Sequence, residues 1–205
     1  MMFTGIVKEI GIVENIEQKN GLLELTISCS DLIKDLEAGD SVAIDGCCQT
    51  VVGKHASVHC FKVQATEETL QKTNFKDFKI SSKVNLEAPL RIGDKLSGHL
   101  VSGHIDGTGE VSNILTFEEN KIIRISFQDN LRDFIAPKGS ISVNGVSLTV
   151  IDIKKNQFSF TLIPFTSKNT NLGLIKIGDL VNLEVDLVSR YLVNYLEGSK
   201  QKCMS

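Results

Sequence analysis

Apolar and polar positions alternate strictly in two separate stretches of the chain. Leu23, Leu25 and Ile27 alternate with Glu24, Thr26 and Ser28, and Ile123, Ile125 and Phe127 alternate with Arg124, Ser126 and Gln128. A period of two predicts half-buried β-strands. Asp45-Gly46 and Asn144-Gly145 are hairpin-turn dipeptides, each followed by a further strand. One short helical turn is predicted in each half, at 31–36 and 130–135. The period changes only near the end, where Val188, Tyr191, Leu192, Tyr195 and Leu196 fall at helical spacing opposite Arg190, Asn194 and Glu197. That apolar face can dock on the preceding strands or associate with copies from other subunits.

The pattern is written twice. Asp45-Gly46-Cys47-Cys48-Gln49-Thr50-Val51 returns as Asn144-Gly145-Val146-Ser147-Leu148-Thr149-Val150, a shift of 144 − 45 = 99. Thr4-Gly5 matches Ser102-Gly103 at a shift of 98, and Val84-Asn85-Leu86-Glu87 matches Val181-Asn182-Leu183-Glu184 at 97. Matches in constant order with so little drift mark a tandem duplication. Short glycine-punctuated strands in each copy predict an all-β fold of two small antiparallel barrels in series. The expected units are 1–97, 98–188 and a helical tail at 189–205.

Composition narrows the function. The 205 residues carry 22 Lys and Arg against 25 Asp and Glu, a net charge of −3, so no basic stripe exists to neutralise nucleic-acid phosphates. No apolar run reaches the roughly 18 residues of a membrane span, and Met1–Ile6 lacks a charged leader, so a soluble cytoplasmic protein is expected. Five cysteines, an odd number with two adjacent, fit a reducing compartment. His55, His59 and Cys60 lie in what reads as an alternating strand through Val58 and Phe61, which argues against a metal site. The glycines at 98, 103, 107 and 109 match neither a phosphate loop nor a dinucleotide fingerprint.

Two places concentrate chemistry. Between Ser97 and Gly107 stand His99 and His104, five apart and so on opposite faces of a strand, with glycines flanking His104. Cys48 and Ser147 are repeat equivalents, with Thr50 and Thr149 two residues on, and no Ser-His-Asp spacing accompanies them. Either a small buried side chain or a polar pocket in each copy explains them.

Met2-Phe3-Thr4-Gly5-Ile6-Val7, Gly98 to Gly107 and Asn144 to Val150, in this order and within a duplication, resemble riboflavin synthase of the alpha-chain type. The resemblance runs from Met2 to about Leu196. It implies two six-stranded Greek-key barrels and a C-terminal helix that gathers three chains into a homotrimer. It also implies a reaction without metal or organic cofactor: two molecules of 6,7-dimethyl-8-ribityllumazine exchange a four-carbon unit, giving riboflavin and 5-amino-6-ribitylamino-uracil. Association with lumazine synthase is a further partner it allows.

Carried over by motif, the resemblance implies an N-terminal pocket of Phe3, Gly5, Ile6, Val7, Cys48, Gln49, Thr50, Gln64, Ala65, Thr66, Glu67, Glu68 and Thr69. It implies a C-terminal pocket of Gly103, His104, Ile105, Lys138, Ser147, Leu148, Thr149, Thr161, Leu162, Ile163, Pro164, Phe165 and Thr166. The implied chemical groups are Ser41, Cys48, His104, Ser147 and Asp186, with His104 as the proton-transfer group. Gln49, Gln64, Phe165 and Ser167 depart from the family's usual residues. A rival of the same fold is a lumazine protein, which holds its ligand without turnover.

Overall fold

The structure, a computed structural model, describes residues 1–55 and 59–203, with side chains to residue 199. The first copy is a closed antiparallel barrel of β1 (Glu9–Lys19), β2 (Leu22–Ser28), β3 (Ser41–Ile44), β4 (Cys47–His55), β5 (Cys60–Ala65) and β6 (Lys83–Glu87). Around the barrel the order is β1-β2-β5-β4-β3-β6. The second copy repeats it with β7 (Gly107–Phe117), β8 (Asn120–Ser126), β9 (Ser140–Val143), β10 (Val146–Thr149), β11 (Asp152–Lys154), β12 (Gln157–Leu162) and β13 (Leu180–Val185). Here the ladder is open, running β10-β9-β13-β7-β8-β12-β11. Its two ends are one stretch of chain interrupted at Val150–Ile151, whereas β4 bridges the matching place with a register shift between Val51 and Gly53. The second copy is therefore a curled half-barrel whose fourth strand is split.

The alternation read in the sequence fills both interiors. Leu25, Ile27, Val42, Ile44, Phe61 and Leu86 are buried in the first core, and Ile123, Ile125, Ile141, Val143, Phe158 and Leu183 in the second. Both interiors are packed, so chemistry must sit on the outer faces. The expected helical turns form at Leu32–Lys34 and Asp129–Phe134. Short helices α1 (Glu67–Lys72) and α2 (Pro164–Asn169) occupy equivalent places, and α3 (Leu187–Cys203) ends the chain. Val188, Tyr191, Leu192 and Tyr195 on α3 are more than half exposed, so its apolar stripe is not covered by the barrels.

One strand expectation fails. His55 ends β4 and pairs with Cys60 at the start of β5, so the two belong to neighbouring antiparallel strands rather than to one alternating strand. His59 takes φ +52°, a left-handed conformation no strand residue adopts, and Val58 lies outside the described residues.

The barrels meet on a pseudo-two-fold axis through the two hairpin turns. A Cβ on Gly46 would stand 2.7 Å from the Gly145 nitrogen, and one on Gly145 equally close to Gly46. Around this contact the buried polar side chains exchange reciprocal bonds. Asn85 Nδ2 donates to the Asn144 carbonyl at 2.8 Å, and Asn182 Nδ2 to the Asp45 carbonyl at 2.9 Å. Asn171 N donates to Asn85 Oδ1, and Asn74 N to Asn182 Oδ1, each at 2.7 Å.

The symmetry breaks at Asp45, which stands where the second copy has Asn144. Burial pushes its carboxyl up to about 7, against bonds from Asn85 N, Asn74 and Asn171 that hold it down. Below pH ~4 the unfolded and folded chains both carry this proton; between ~4 and 7 only the folded chain keeps it, so the stability contributed falls as pH rises through that window. Asp45→Asn removes the cost. It is expected to stabilise by about 1–4 kcal/mol at pH 8, with the gain shrinking toward pH 4. Thermal melts of both proteins at pH 5 and 8 check this.

Candidate active site

Two extended arms precede the barrels and lie side by side between them. Phe3 and Val101 form an antiparallel bridge, Phe3 N donating to the Val101 carbonyl at 2.7 Å and Val101 N returning the bond at 3.1 Å. Among the described residues the bridge stands isolated, with His99 outside any strand, so His99 and His104 are not opposite faces of one strand. Their separation has another cause.

Each arm serves the opposite barrel. The Gly5 carbonyl accepts from Ser147 N in β10 at 2.8 Å, and Val7 packs on the second core. The Gly103 carbonyl accepts from Cys48 N in β4 at 2.8 Å, and Ile105 packs on the first core. The family resemblance groups Gly5, Ile6 and Val7 with Cys48, and Gly103, His104 and Ile105 with Ser147. The structure crosses these groups, because residues that precede a barrel in the chain reach over the two-fold axis to its neighbour.

The first cluster is built on β3 and β4. Alternation turns Cys47 and Val51 inward and Cys48 and Thr50 outward, where Cys48 packs on Phe3, Ala43 and Val101. Ser41 hydrogen-bonds the Cys48 thiol, and burial pushes that thiol up, so it stays protonated at neutral pH. Exposed His104 follows Gly103 on the arm above it. Gln49 is spent inside: its amide donates to Cys47 Sγ and to the Cys48 carbonyl. Gln64 donates to Glu24 at 2.9 Å on the β2–β5 face, and Ala65 is buried in the core. Thr66 caps α1, leaving Glu67 and Glu68 exposed and Thr69 half-buried.

The second cluster holds a contact the sequence did not announce. His99 Nδ1 lies 2.7 Å from Ser147 Oγ. Burial pushes the imidazole down while the charge of Asp186 pulls it up, which leaves it neutral at pH 7 and able to accept from the hydroxyl. Asp186 Oδ1 also accepts from Val188 N at the start of α3. Thus Ser147 and His99 meet from distant parts of the chain, with the charge of Asp186 acting on the imidazole. Leu148 is half-buried, and Thr149 and Lys138 are exposed on the same barrel, Lys138 N donating to the Val150 carbonyl. Thr161 and Ile163 are exposed around buried Leu162, while Pro164 opens α2 ahead of half-buried Thr166. Phe165 is 75% exposed there. A cleft of about 860 Å³ opens beside Thr4, Ile6 and the linker at Pro89–Leu90, and contains neither Cys48 nor Ser147.

The family model described as Lumazine binding domain matches the chain twice, at residues 4–89 and 102–186. A riboflavin synthase from Actinobacillus pleuropneumoniae is 40% identical over 195 residues, covering 95% of this chain and 90% of that protein. The Bacillus subtilis riboflavin synthase is 34% identical over 200 residues, covering 98% and 92%. Among solved structures, LumP complexed with riboflavin superposes with a TM-score of 0.83 at 28% identity, covering 90% of this chain and 99% of that one. LumP complexed with 6,7-dimethyl-8-(1'-D-ribityl) lumazine gives 0.81 at 26%, with the same coverage. Two lumazine-binding repeats and relatives of this identity over nearly the whole chain settle the kinship: the protein belongs to the riboflavin synthase family of enzymes.

Proposed function

We propose that the protein converts two molecules of 6,7-dimethyl-8-ribityllumazine into riboflavin and 5-amino-6-ribitylamino-uracil. The observation that carries this reading is the pair of symmetry-related clusters, one with Cys48 and Ser41, the other with Ser147, His99 and Asp186. A reaction between two identical molecules requires two similar pockets, and a mere carrier requires only one. Each pocket then takes one lumazine, with Thr50, Gln64 and the α1 start around the first, and Thr149, Lys138, Phe165 and the α2 start around the second.

The chemistry asked of these residues is modest. The C7 methyl of the donor lumazine loses a proton, and the carbanion is delocalised into the ring. Neutral His99, acting through Ser147, is the acceptor of that proton. Cys48 and Ser41 polarise the acceptor lumazine while a nucleophile adds at its C7, and His104 takes the nucleophile's proton. Orientation of two bound rings supplies most of the rate, since near-attack placement can replace roughly 7–11 kcal/mol of barrier, with acid–base help adding about 10²–10⁴-fold.

The uncovered stripe on α3 supports association of three chains, placing the first pocket of one subunit against the second pocket of its neighbour. None of the described helices is long and apolar enough to cross a membrane, in keeping with a soluble cytoplasmic enzyme. The deciding experiment incubates the purified protein with 6,7-dimethyl-8-ribityllumazine alone. Riboflavin should accumulate at one molecule per two lumazines consumed; stable binding with no riboflavin would establish a carrier like LumP.

A further inference from the structure

Two buried glutamates stand outside the chemistry just described. Glu87 ends β6 and Glu184 lies in β13 as its repeat equivalent; they are 4% and 2% exposed. No described lysine, arginine or histidine forms an ion pair with either. Instead each carboxylate is filled by three donors from an arm. Glu87 Oε1 accepts from Thr4 N and Thr4 Oγ1, both at 2.7 Å, and Oε2 from Gly5 N at 3.1 Å. Glu184 Oε1 accepts from Ser102 N at 2.7 Å and Ser102 Oγ at 2.6 Å, and Oε2 from Gly103 N at 2.9 Å.

The next peptide along each arm carries the crossed contact, the Gly5 carbonyl accepting from Ser147 N and the Gly103 carbonyl from Cys48 N. We propose that Glu87 and Glu184 are reciprocal positioning residues: each is rooted in one barrel and fixes the arm that completes the pocket of the other. The carboxylate is the group this task requires. Two N–H donors and a hydroxyl converge on it, and only an ion with acceptors on both oxygens satisfies them all. Glutamine has the same shape but turns one oxygen into an N–H₂, setting donor against donor at one arm peptide. Burial favours the neutral acid in both residues, and the arm's donors oppose it. The arm's donors thus favour the ionised form of the carboxyl that binds them.

The proposal predicts damage in the wrong place. Glu87→Gln should loosen Ser147, in the second barrel, and spare Cys48, in its own; Glu184→Gln should do the reverse. Amide hydrogen exchange, followed by NMR on the full-length, ligand-free protein, reads this directly. Glu87→Gln is expected to speed exchange at Ser147 by about tenfold or more, with less than about threefold change at Cys48, as loss of a buried bond dictates. Riboflavin is then added, and its shifts at the Ser147 and Cys48 amides report each pocket. Weakened binding should follow the same crossed pattern, an arm that rests on the proposed function. Loosening confined to the mutated residue's own barrel, or equal at both amides, would make the glutamates ordinary fold residues and overturn the proposal. If the unaltered protein gave no riboflavin shifts, the functional reading would fail while the exchange pattern still decided the positioning role. Should either glutamine variant fail to fold, Thr4→Ala and Ser102→Ala remove one donor each and must show the same crossing at smaller amplitude; an uncrossed result there also overturns it.

Discussion

Gly103→Ala is expected to lower riboflavin formation by at least about 100-fold while both barrels remain folded. Gly103 takes φ +79°, where an L side chain is strained, and its Cβ would stand 2.6 Å from Cys48 Cβ and 3.0 Å from Cys48 N. The strand cannot yield, because Cys48 is in the middle of the β3–β4 ladder opposite Ala43. The arm must lift instead, parting the Gly103 carbonyl from Cys48 N and carrying His104 with it. A displacement of about 1 Å at a site that works by positioning costs on the order of 10²-fold. Gly107→Ala is the control, since a Cβ there meets nothing within 4 Å and its φ is ordinary. Single-turnover rates for both variants, alongside thermal melts, test the contrast. Near-normal turnover by Gly103→Ala would mean that the arm plays no part in the reaction.

Deletion of residues 189–205 is expected to dissociate the assembly and to cut turnover about tenfold or more at low protein concentration, with partial recovery on concentrating, as mass action requires. The stripe lost includes Tyr191 and Tyr195, 71% and 72% exposed in the single chain. Sedimentation and activity should fall together along a dilution series. The crossed arms also decide which inactive chains can rescue each other. Cys48→Ala spoils only the first pocket and Ser147→Ala only the second, so co-refolded mixtures should regain activity at inter-subunit sites. Cys48→Ala mixed with His104→Gln should not, because His104 follows Gly103, whose carbonyl bonds Cys48 N, and so is assigned to the first pocket too. Full activity of a truncated monomer would refute the inter-subunit site.

How much of this was legible beforehand depends on what a repeat can encode. Matched segments such as Val84–Glu87 and Val181–Glu184 announced two equivalent domains, and alternation at Leu23–Ser28 and Ile123–Gln128 announced barrels. Equivalence, however, is unchanged when the two arms are exchanged, so the pairing of 5 with 103 was silent on which barrel each arm completes. The flanking glycines and the family resemblance single out His104, whereas spacing puts the two histidines on opposite faces without showing that His99 meets Ser147. The available signal was the isolation of His99: at the shift of 98 it faces Met1, so it belongs to the junction rather than the repeat. Glu87 and Glu184 were visible as a repeated letter, but a carboxylate binding backbone N–H groups leaves no mark in spacing. The split at Val150–Ile151 was likewise unreadable, since both copies show the same Thr-Val there.

The reciprocal bonds across Gly46 and Gly145 have the form of an isologous dimer interface, in which each half gives the other what it receives. Two separate copies of an ancestral half-length chain would have made the same contacts, with arms exchanged. In such a dimer every substitution on the axis appears twice, and an aspartate at this turn would bring two carboxyls together in a buried space. Joining the copies in one chain freed them from that rule. Asp45 facing a network headed by Asn144 is a state two identical copies cannot reach, and the same freedom lets a thiol stand at Cys48 and a hydroxyl at Ser147. Two joined copies that are free to diverge can treat two identical molecules differently, as the proposed donor and acceptor roles require.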